Sequence, residues 1–181
     1  GVPVVLDPVG AGATSLRTSS AARILAEVRV DVLRGNAAEV AVVGGYGAEV
    51  RGVEAAAGPE NPAAVTGRIA ERLGTVVAAT GPVDYVSDGR RTLEVRNGHP
   101  LLTVVTGTGC MATAVIGAFR AVEEDGVLAT AAALAYFGYA AELAAARSRG
   151  PGGFQANLLD ALYLMTPEDL ARGARIGEVA A

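Results

Sequence analysis

Apolar strand-like runs alternate with stretches of helical periodicity along this chain, and that alternation restricts the possible folds more than any other feature. The runs are apolar at nearly every position instead of at every second one, and they comprise residues 2–6, 30–33 and 75–79. Strands of this kind are covered on both faces, as in sheets flanked by helices. The sequence therefore predicts an α/β domain with ligand-binding loops at the ends of its strands.

Helical spacing and breaker residues place helices between these runs. The predicted helices cover residues 20–28, 36–43, 62–73, 127–147 and 155–165, with one more running from the Gly107–Cys110 turn to about residue 122. Asn36 is followed three residues later by Glu39, which predicts a capping box at the start of the second helix.

Turn-forming residues and polar segments predict the connections. Asp88-Gly89 lies between the strand-like segments 84–87 and 92–95, and this pattern is typical of a β-hairpin. We also expect a surface loop at residues 48–59 and an extended run at residues 101–106.

The composition excludes several classes of function. A chain of 181 residues with 51% apolar content suits one domain over residues 1–181, and a net charge of −4 predicts neither nucleic acid nor a membrane as a partner. The apolar stretches 101–119 and 127–141 are interrupted or too short to span a bilayer. One cysteine and one histidine exclude an intrachain disulfide and a Cys-rich zinc site, and they favour a reducing, cytoplasmic compartment. His99, which precedes a proline, is interpreted as structural.

The chain contains no lysine, and its fifteen lysine or arginine positions are all arginine. A Walker A loop requires a lysine that reaches the phosphates of its nucleotide. If this protein binds a nucleotide, arginine side chains and backbone N–H groups must therefore hold the phosphates.

The strongest local signal is the sequence Gly-Thr-Gly-Cys at Gly107–Cys110, before a long apolar helix. Small residues let a ligand approach the backbone, and the free N–H groups and dipole of a helix N-terminus favour anions. We interpret this segment as a phosphate-binding turn, although a turn packed tightly for steric reasons would have the same sequence. Cys110 is a candidate base or hydroxyl anchor, because a helix N-terminus favours the thiolate, or alternatively a small buried side chain.

Polar residues at strand ends form a second group of candidates. Asp7 ends the first strand and Glu39 lies one turn into a helix, positions from which carboxylates bind Mg²⁺ through water beside phosphates. Arg34 leaves the second strand and could clamp phosphate oxygens, and Thr80 closes the third and could reach a nucleotide. Each residue could equally be a cap, an ion-pair partner or part of an ordinary turn.

Four motifs in this order resemble the hydroxyethylthiazole kinase family of the ribokinase-like superfamily. They are DPVGAGAT at 7–14, RGNAAE at 34–39, ATGPVDYVSDG at 79–89 and GHPLLTVVTGTGCMATA at 98–114, and LLDALY at 158–163 continues the likeness. The resemblance implies a three-layer α/β/α ribokinase-like fold with a mostly parallel central sheet. It also implies a homotrimer that uses ATP and Mg²⁺ to phosphorylate the hydroxyl of 4-methyl-5-(2-hydroxyethyl)thiazole in thiamine biosynthesis or salvage.

The resemblance further implies roles for individual residues. ATP would be contacted by Arg34, Thr80 and Asn36, the thiazole alcohol by Gly107, and Mg²⁺ with its waters by Asp7 and Glu39. The catalytic group would comprise Thr108, Gly109 and Cys110, with the backbone of Gly107–Cys110 as the anion hole. Most of the superfamily has aspartate where Cys110 stands. Because a thiol is a weaker base, we expect positioning and charge stabilisation to carry most of the catalysis.

The chain begins at Gly1 inside a strand-like run, and nothing in it corresponds to the further N-terminal elements of the family. Those elements supply part of the thiazole pocket, so we expect a natural N-terminus upstream and little or no activity from this chain alone. Two alternatives stay open. One is another ribokinase-like activity, such as a hydroxymethylpyrimidine kinase or an ATP-dependent hydrate dehydratase. The other is nucleotide binding without catalysis.

Overall fold

The computed structural model describes residues 1–46 and 61–179, and the predicted surface loop at 48–59 lies outside these ranges. The strands of the described residues are β1 Val5–Leu6, β2 Val32–Asn36, β3 Val76–Thr80, β4 Asp84–Ser87, β5 Thr92–Val95 and β6 Ile176–Glu178. The helices are α1 Ser15–Glu27, α2 Ala37–Val43, α3 Pro62–Leu73, α4 Thr108–Arg120, α5 Gly126–Ala146, α6 Pro151–Leu164 and α7 Pro167–Gly173, with a 3₁₀ turn at Pro100–Thr103.

The strands form one mixed sheet in the order β1-β2-β3-β4-β5-β6. The pairs β1/β2 and β2/β3 are parallel, and the three remaining pairs are antiparallel. The sheet of the described residues is therefore not mostly parallel as predicted. For β3/β4 and β4/β5 the reason is the length of the connections, because the short links 81–83 and 88–91 allow only antiparallel neighbours, whereas helices join the parallel strands.

Side chains alternate across the sheet and divide the core into two parts, which confirms the predicted three layers. One set packs against α4, α5 and α6, and it comprises Val32, Ala78, Val86 and Val95. The other set packs against α2 and α3, and it comprises Leu33, Val77 and Ala79. Each strand of the parallel part thus faces apolar residues on both sides, as its uninterrupted apolar sequence predicts.

Helix α5 is the central helix of the larger layer. It is long and apolar enough to cross a membrane by length and composition, but 67% of its most apolar window is buried inside the protein. Its alanines allow close approach, since Ala131, Ala135 and Ala140 have no exposed surface. The helix is therefore the core helix that the sequence predicts at 127–147.

The predicted extended run at 101–106 is wrong. The segment begins with the 3₁₀ turn Pro100–Thr103, and the Nδ1 atom of His99 accepts a hydrogen bond from the Leu101 N–H at 3.2 Å. The hydroxyl of Thr108 donates to a carbonyl of the same turn at 2.7 Å. These side-chain hydrogen bonds replace the sheet partners that an extended segment would need.

We predict opposite stability effects for two identical substitutions in helices. A Cβ at Gly138 of α5 would lie 2.6 Å from the backbone of Asn97, whereas a Cβ at Gly117 of α4 would meet nothing within 4 Å. Gly138→Ala should destabilise the protein by about 2 kcal/mol or more through overpacking. Gly117→Ala should stabilise it by about 0.5–1 kcal/mol through helix propensity. Urea denaturation measures both, and equal effects would contradict the close packing of α5 on residue 97.

Candidate functional site

Arg34 lies at the centre of the polar residues gathered at the carboxyl end of the parallel strands. Alternation along β2 places it on the same face as the buried Val32, two residues earlier. Its Nη1 donates to Oδ2 of Asp7, which follows β1, at 3.1 Å, and its Nη2 donates to Oγ1 of Thr80, the last residue of β3, at 2.9 Å. One guanidinium group therefore connects the ends of three neighbouring strands.

The first turn of helix α4 packs against this guanidinium. A Cβ at Gly109 would lie 2.9 Å from Nη1 of Arg34, so only glycine permits the observed approach. The hydroxyl of Thr113, one turn further along α4, donates to Oδ2 of Asp7 at 2.8 Å. Asp7 is thus held by both the arginine and the helix, and it compensates the positive charge that they bring together.

The N-terminus of α4 has no side-chain cap among the described residues. Its N-cap is Gly107, with a φ of 95°, a left-handed conformation that favours glycine. The Thr108 hydroxyl points back to the carbonyl oxygens of residues 102 and 105 instead of covering the helix end. The first backbone N–H groups of the helix therefore remain for an anionic ligand.

A cleft of about 590 Å³ opens beside these groups. Among the predicted site residues, the cleft is lined by Arg34, Asn36, Thr80, Thr108 and Gly109. The rest of its lining comes mainly from the turn after β3, the segment 97–103 and helix α5. The cleft therefore combines a polar end at the strand ends with an apolar wall, a combination typical of small-molecule sites.

The structure places the other predicted residues around the cleft but not in its lining. Glu39 forms the predicted capping box with Asn36, which does line the cleft, and Oε1 of Glu39 also accepts the Gly10 N–H at 2.8 Å. Gly107 and Cys110 lie at the start of α4, and both residues are exposed. Two groups result, one enclosed around Arg34 and one open at the end of the helix.

The charge at the enclosed group favours an anion. Arg34 keeps only 13% of its side chain exposed, and its Nε is the one buried side-chain nitrogen or oxygen without a hydrogen-bond partner among the described residues. Such an atom costs free energy unless a ligand or water satisfies it. Because Nε itself has almost no exposed surface, an anion in the cleft would be attracted by the charge of the guanidinium group, which lines the cleft, and not by direct contact with Nε.

The carboxylates fit a metal that arrives with a phosphorylated ligand. No group of three or more acidic, histidine or cysteine residues that could hold a metal ion occurs in the described part of the chain. Asp7 pairs with Arg34 and Glu39 lies in the first turn of α2, and Mg²⁺ usually binds through one or two carboxylates, water and substrate phosphates. This donor set suits Mg²⁺ better than a metal held by protein ligands alone.

The sequence interpretation missed Asp84, the first residue of β4, which lines the same cleft. Burial raises the pKa of Asp84 to about 6, although the Gly81 N–H, which donates to its Oδ1 at 2.9 Å, and the charge of Arg34 oppose the shift. An acid four residues after Thr80, inside the motif at 79–89, was the available signal. Its burial depends on the turn after β3 folding back, which local sequence does not show.

We predict a pH-dependent stability effect for Asp84→Asn. Because the folded pKa of Asp84 lies above its unfolded value, the protonated form stabilises the fold at low pH, and that contribution is lost as the pH rises through about 6. The asparagine keeps the acceptor for Gly81 without the charge. The variant should therefore gain up to about 2 kcal/mol over the unchanged protein at pH 7.5, and much less at pH 4.5.

Urea denaturation at the two pH values measures this gain, and Asp88→Asn is the control. Burial is the largest single effect and raises the pKa of Asp88, but hydrogen bonds from the backbone N–H groups of residues 90 and 91, with the charge of Arg91, together outweigh it and hold that pKa below its ordinary value. This variant should lose stability at neutral pH. A gain for Asp84→Asn that does not grow with pH would contradict the burial of that carboxyl.

The comparisons with known proteins agree with this geometry. A model of the hydroxyethylthiazole kinase family matches residues 1–168. A hydroxyethylthiazole kinase from Moorella thermoacetica is 59% identical over 97% of this chain and 66% of its own length. One from Desulforudis audaxviator is 54% identical over 97% of this chain and 64% of its own length. The chain therefore spans slightly less than two thirds of the length of these curated relatives.

The fold is also shared with a solved structure. A hydroxyethylthiazole kinase from Pyrococcus horikoshii OT3 superposes with a TM-score of 0.85 and 45% sequence identity, covering 98% of this chain and 66% of that one. This likeness confirms the ribokinase-like α/β fold. Because the family match extends over nearly all of the described residues and includes every strand end that builds the cleft, the chain belongs to the hydroxyethylthiazole kinase family.

Proposed function

We propose that this protein is an ATP-dependent kinase that phosphorylates the hydroxyl of 4-methyl-5-(2-hydroxyethyl)thiazole in thiamine biosynthesis or salvage. The observation that carries the proposal is the buried Arg34 guanidinium beside the uncapped N-terminus of α4, inside a cleft large enough for a nucleotide. Relatives that are 50–59% identical carry the name of this kinase.

Phosphate binding would rest on Arg34 and on backbone N–H groups, since the chain has no lysine. The positive charge of Arg34 would attract a phosphate group into the cleft, and Thr80 and Asn36 line the cleft beside it. The N–H groups at Thr108 and Gly109, together with the helix dipole, would stabilise the charge of the transferring phosphoryl group. Asp84, the acid in the lining, would discourage phosphates at its own position.

The chemical step would be direct in-line transfer. The hydroxyl oxygen of the acceptor forms a bond to the γ-phosphorus while the bond between that phosphorus and the bridging oxygen breaks, and ADP leaves. The acceptor would lie at Gly107, and Cys110 would orient its hydroxyl; the proton of that hydroxyl would pass to the thiolate form of Cys110 and from there to solvent. Because Cys110 is exposed and a thiol is a weak oxygen-directed base, most of the rate enhancement would come from positioning and charge.

Mg²⁺ would be held by Asp7 and Glu39 through water, and when bound it neutralises charge on the phosphates. The chain's own residues set where this happens. Asp7 is fixed by Arg34 and Thr113, and both oxygens of Glu39 accept backbone N–H groups at Gly10 and Asn36. Each carboxylate is therefore oriented before a metal arrives.

We further propose a homotrimer in a cytoplasmic, reducing compartment. The single cysteine is compatible with that compartment, and exposed apolar side chains on α6, among them Tyr163 at 88%, provide surface for association. Nucleic acid and membranes are not expected partners, because the net charge is −4 and α5 is largely buried. Sedimentation equilibrium of the purified protein tests the trimer.

The alternative is nucleotide binding without catalysis by this chain. The proposed acceptor residues, Gly107 and Cys110, are exposed, and the chain spans about two thirds of the relatives' length. A different ribokinase-like acceptor would also leave the nucleotide side unchanged. Turnover with the thiazole alcohol distinguishes the three possibilities.

ADP release from Mg-ATP, with and without the thiazole alcohol, tests the function. We expect thiazole-dependent release from a chain extended at its N-terminus to the length of the relatives, and weak or no release from residues 1–181 alone. Both chains should bind ATP. If both chains bind ATP but neither releases ADP in the presence of the thiazole alcohol, the substrate assignment is contradicted. If the two chains release ADP at comparable rates, no residues beyond 1–181 are needed for activity.

Arg34→Lys should weaken ATP binding about tenfold or more. One ammonium group cannot reproduce the planar fork that joins Asp7 to Thr80 and holds the positive charge at the wall of the cleft. The matched control is Arg29→Lys, because the Arg29 side chain is 93% exposed and lies away from the cleft. Titration with a fluorescent ATP analogue measures both variants. If Arg34→Lys and Arg29→Lys bind the ATP analogue equally well, Arg34 is not part of the nucleotide site.

A further inference from the structure

One wall of the cleft is a short backbone segment, Asn97, Gly98 and His99, which follows β5. Gly98 has a φ of 149°, a conformation that residues with a side chain rarely adopt. Hydrogen bonds within the sheet do not hold this segment, because β5 ends at Val95. Its position must therefore be set by contacts from elsewhere.

Those contacts come from α5. The backbone of Asn97 packs directly on Gly138, which lines the same cleft. Glu142 lies one helical turn beyond Gly138 on the same side of the helix. Its Oε1 accepts the Gly98 N–H at 2.8 Å and the Asn97 side-chain amide at 3.2 Å. A carboxylate outside the lining thus holds two consecutive residues of the wall.

The carboxylate is itself fixed from the other side. Arg175 donates from Nη1 to Oε2 of Glu142 at 3.0 Å, and from Nη2 to Oε1. The Arg175 backbone N–H donates to Oδ1 of Asn97 at 2.7 Å, and the Asn97 amide also donates to the Gly173 carbonyl at 2.9 Å. Asn97, which is only 6% exposed, thereby satisfies both ends of its side chain in one closed network.

We propose that Glu142 is a positioning residue that holds the 97–99 wall against α5 and so sets the shape of the nucleotide cleft. The proposal that the wall serves a nucleotide rests on the proposed function. Glu142 acts through Gly98 and Asn97 and touches no reacting atom. Because Glu142 acts on the shape of the cleft, its removal should lower the affinity for ATP and leave the rate of phosphoryl transfer at saturating ATP nearly unchanged.

The arrangement gives this role a specific energetic basis. Without the carboxylate, the Gly98 N–H loses its acceptor, and the buried Asn97 amide nitrogen keeps only the Gly173 carbonyl. An unsatisfied buried donor is costly, so the segment would move to find other partners. Several arrangements of the wall would then compete, and the ligand would have to select the one that fits.

The test compares Glu142→Ala with Glu142→Gln and with a matched control, Glu94→Ala. The Glu94 side chain is 22% exposed against 23% for Glu142, and each carboxylate pairs with an arginine, but Glu94 holds no residue of the cleft. The glutamine keeps an oxygen acceptor for Gly98 without the charge. Two quantities are measured, namely the affinity for a fluorescent ATP analogue and the amide hydrogen exchange of residues 97–99.

We expect Glu142→Ala to weaken ATP binding about tenfold and to speed exchange at residues 97–99 at least as much, while the variant stays folded by circular dichroism. Glu142→Gln should recover most of the affinity, and Glu94→Ala should match the unchanged chain. In an active longer chain, KM for ATP should rise while kcat stays within about threefold.

Unchanged exchange at residues 97–99 in Glu142→Ala would overturn the positioning role, whatever the ligand. Faster exchange with unchanged ATP affinity would overturn the link between this wall and the nucleotide. Failure of the unchanged chain to bind ATP would instead overturn the proposed function, and the exchange result would still decide whether Glu142 holds the wall.

Discussion

The bridge made by Arg34 is the interaction on which the rest of the site depends. Its guanidinium joins Asp7 at the end of β1 to Thr80 at the end of β3, and both side chains of the ion pair are largely buried, at 13% and 14% exposure. Removing one partner of such a pair leaves an uncompensated charge in a region of low dielectric. The charge of Arg34 and that of Asp7 must therefore compensate each other wherever the strand ends, the start of α4 and the polar end of the cleft meet.

This balance also explains the small residues around it. Two positive groups, the guanidinium and the N-terminus of α4, lie close together because Gly109 has no side chain. Asp7 offsets part of that charge, and Thr113 fixes its orientation. The remaining positive potential favours an anion in the part of the cleft that Arg34 lines. In the proposed function, Arg34 and the N–H groups of α4 would together take the place that a lysine has in a Walker A loop.

Local features of the fold were predictable from the sequence, and long-range ones were not. The capping box of Asn36 and Glu39 and the hairpin at Asp88-Gly89 depend on residues a few positions apart, and both predictions are confirmed. The contact of Thr113 with Asp7 joins residues 106 positions apart, so no periodicity reveals it. The order of the candidate residues predicted a cleft at the strand ends, but not which of them line it.

The failures have the same physical origin. Residues 101–106 have the composition of a strand, yet hydrogen bonds from His99 and Thr108 turn the beginning of the segment into a 3₁₀ turn. The pairs β3/β4 and β4/β5 are antiparallel because the links after β3 and β4 are too short for a crossover. Apolar content predicts burial, but side-chain hydrogen bonds and connection lengths decide the local geometry.

The two groups of proposed site residues differ in how well this chain encloses them. The phosphate side is built from the ends of β1, β2 and β3 and is largely buried, whereas Gly107 and Cys110 at the acceptor side are exposed. Phosphoryl transfer requires that water be kept away from the γ-phosphate, because water competes with the acceptor hydroxyl. The described residues meet that condition at the nucleotide side only. Efficient transfer to an alcohol therefore requires that the acceptor itself, or further protein, cover the first turn of α4.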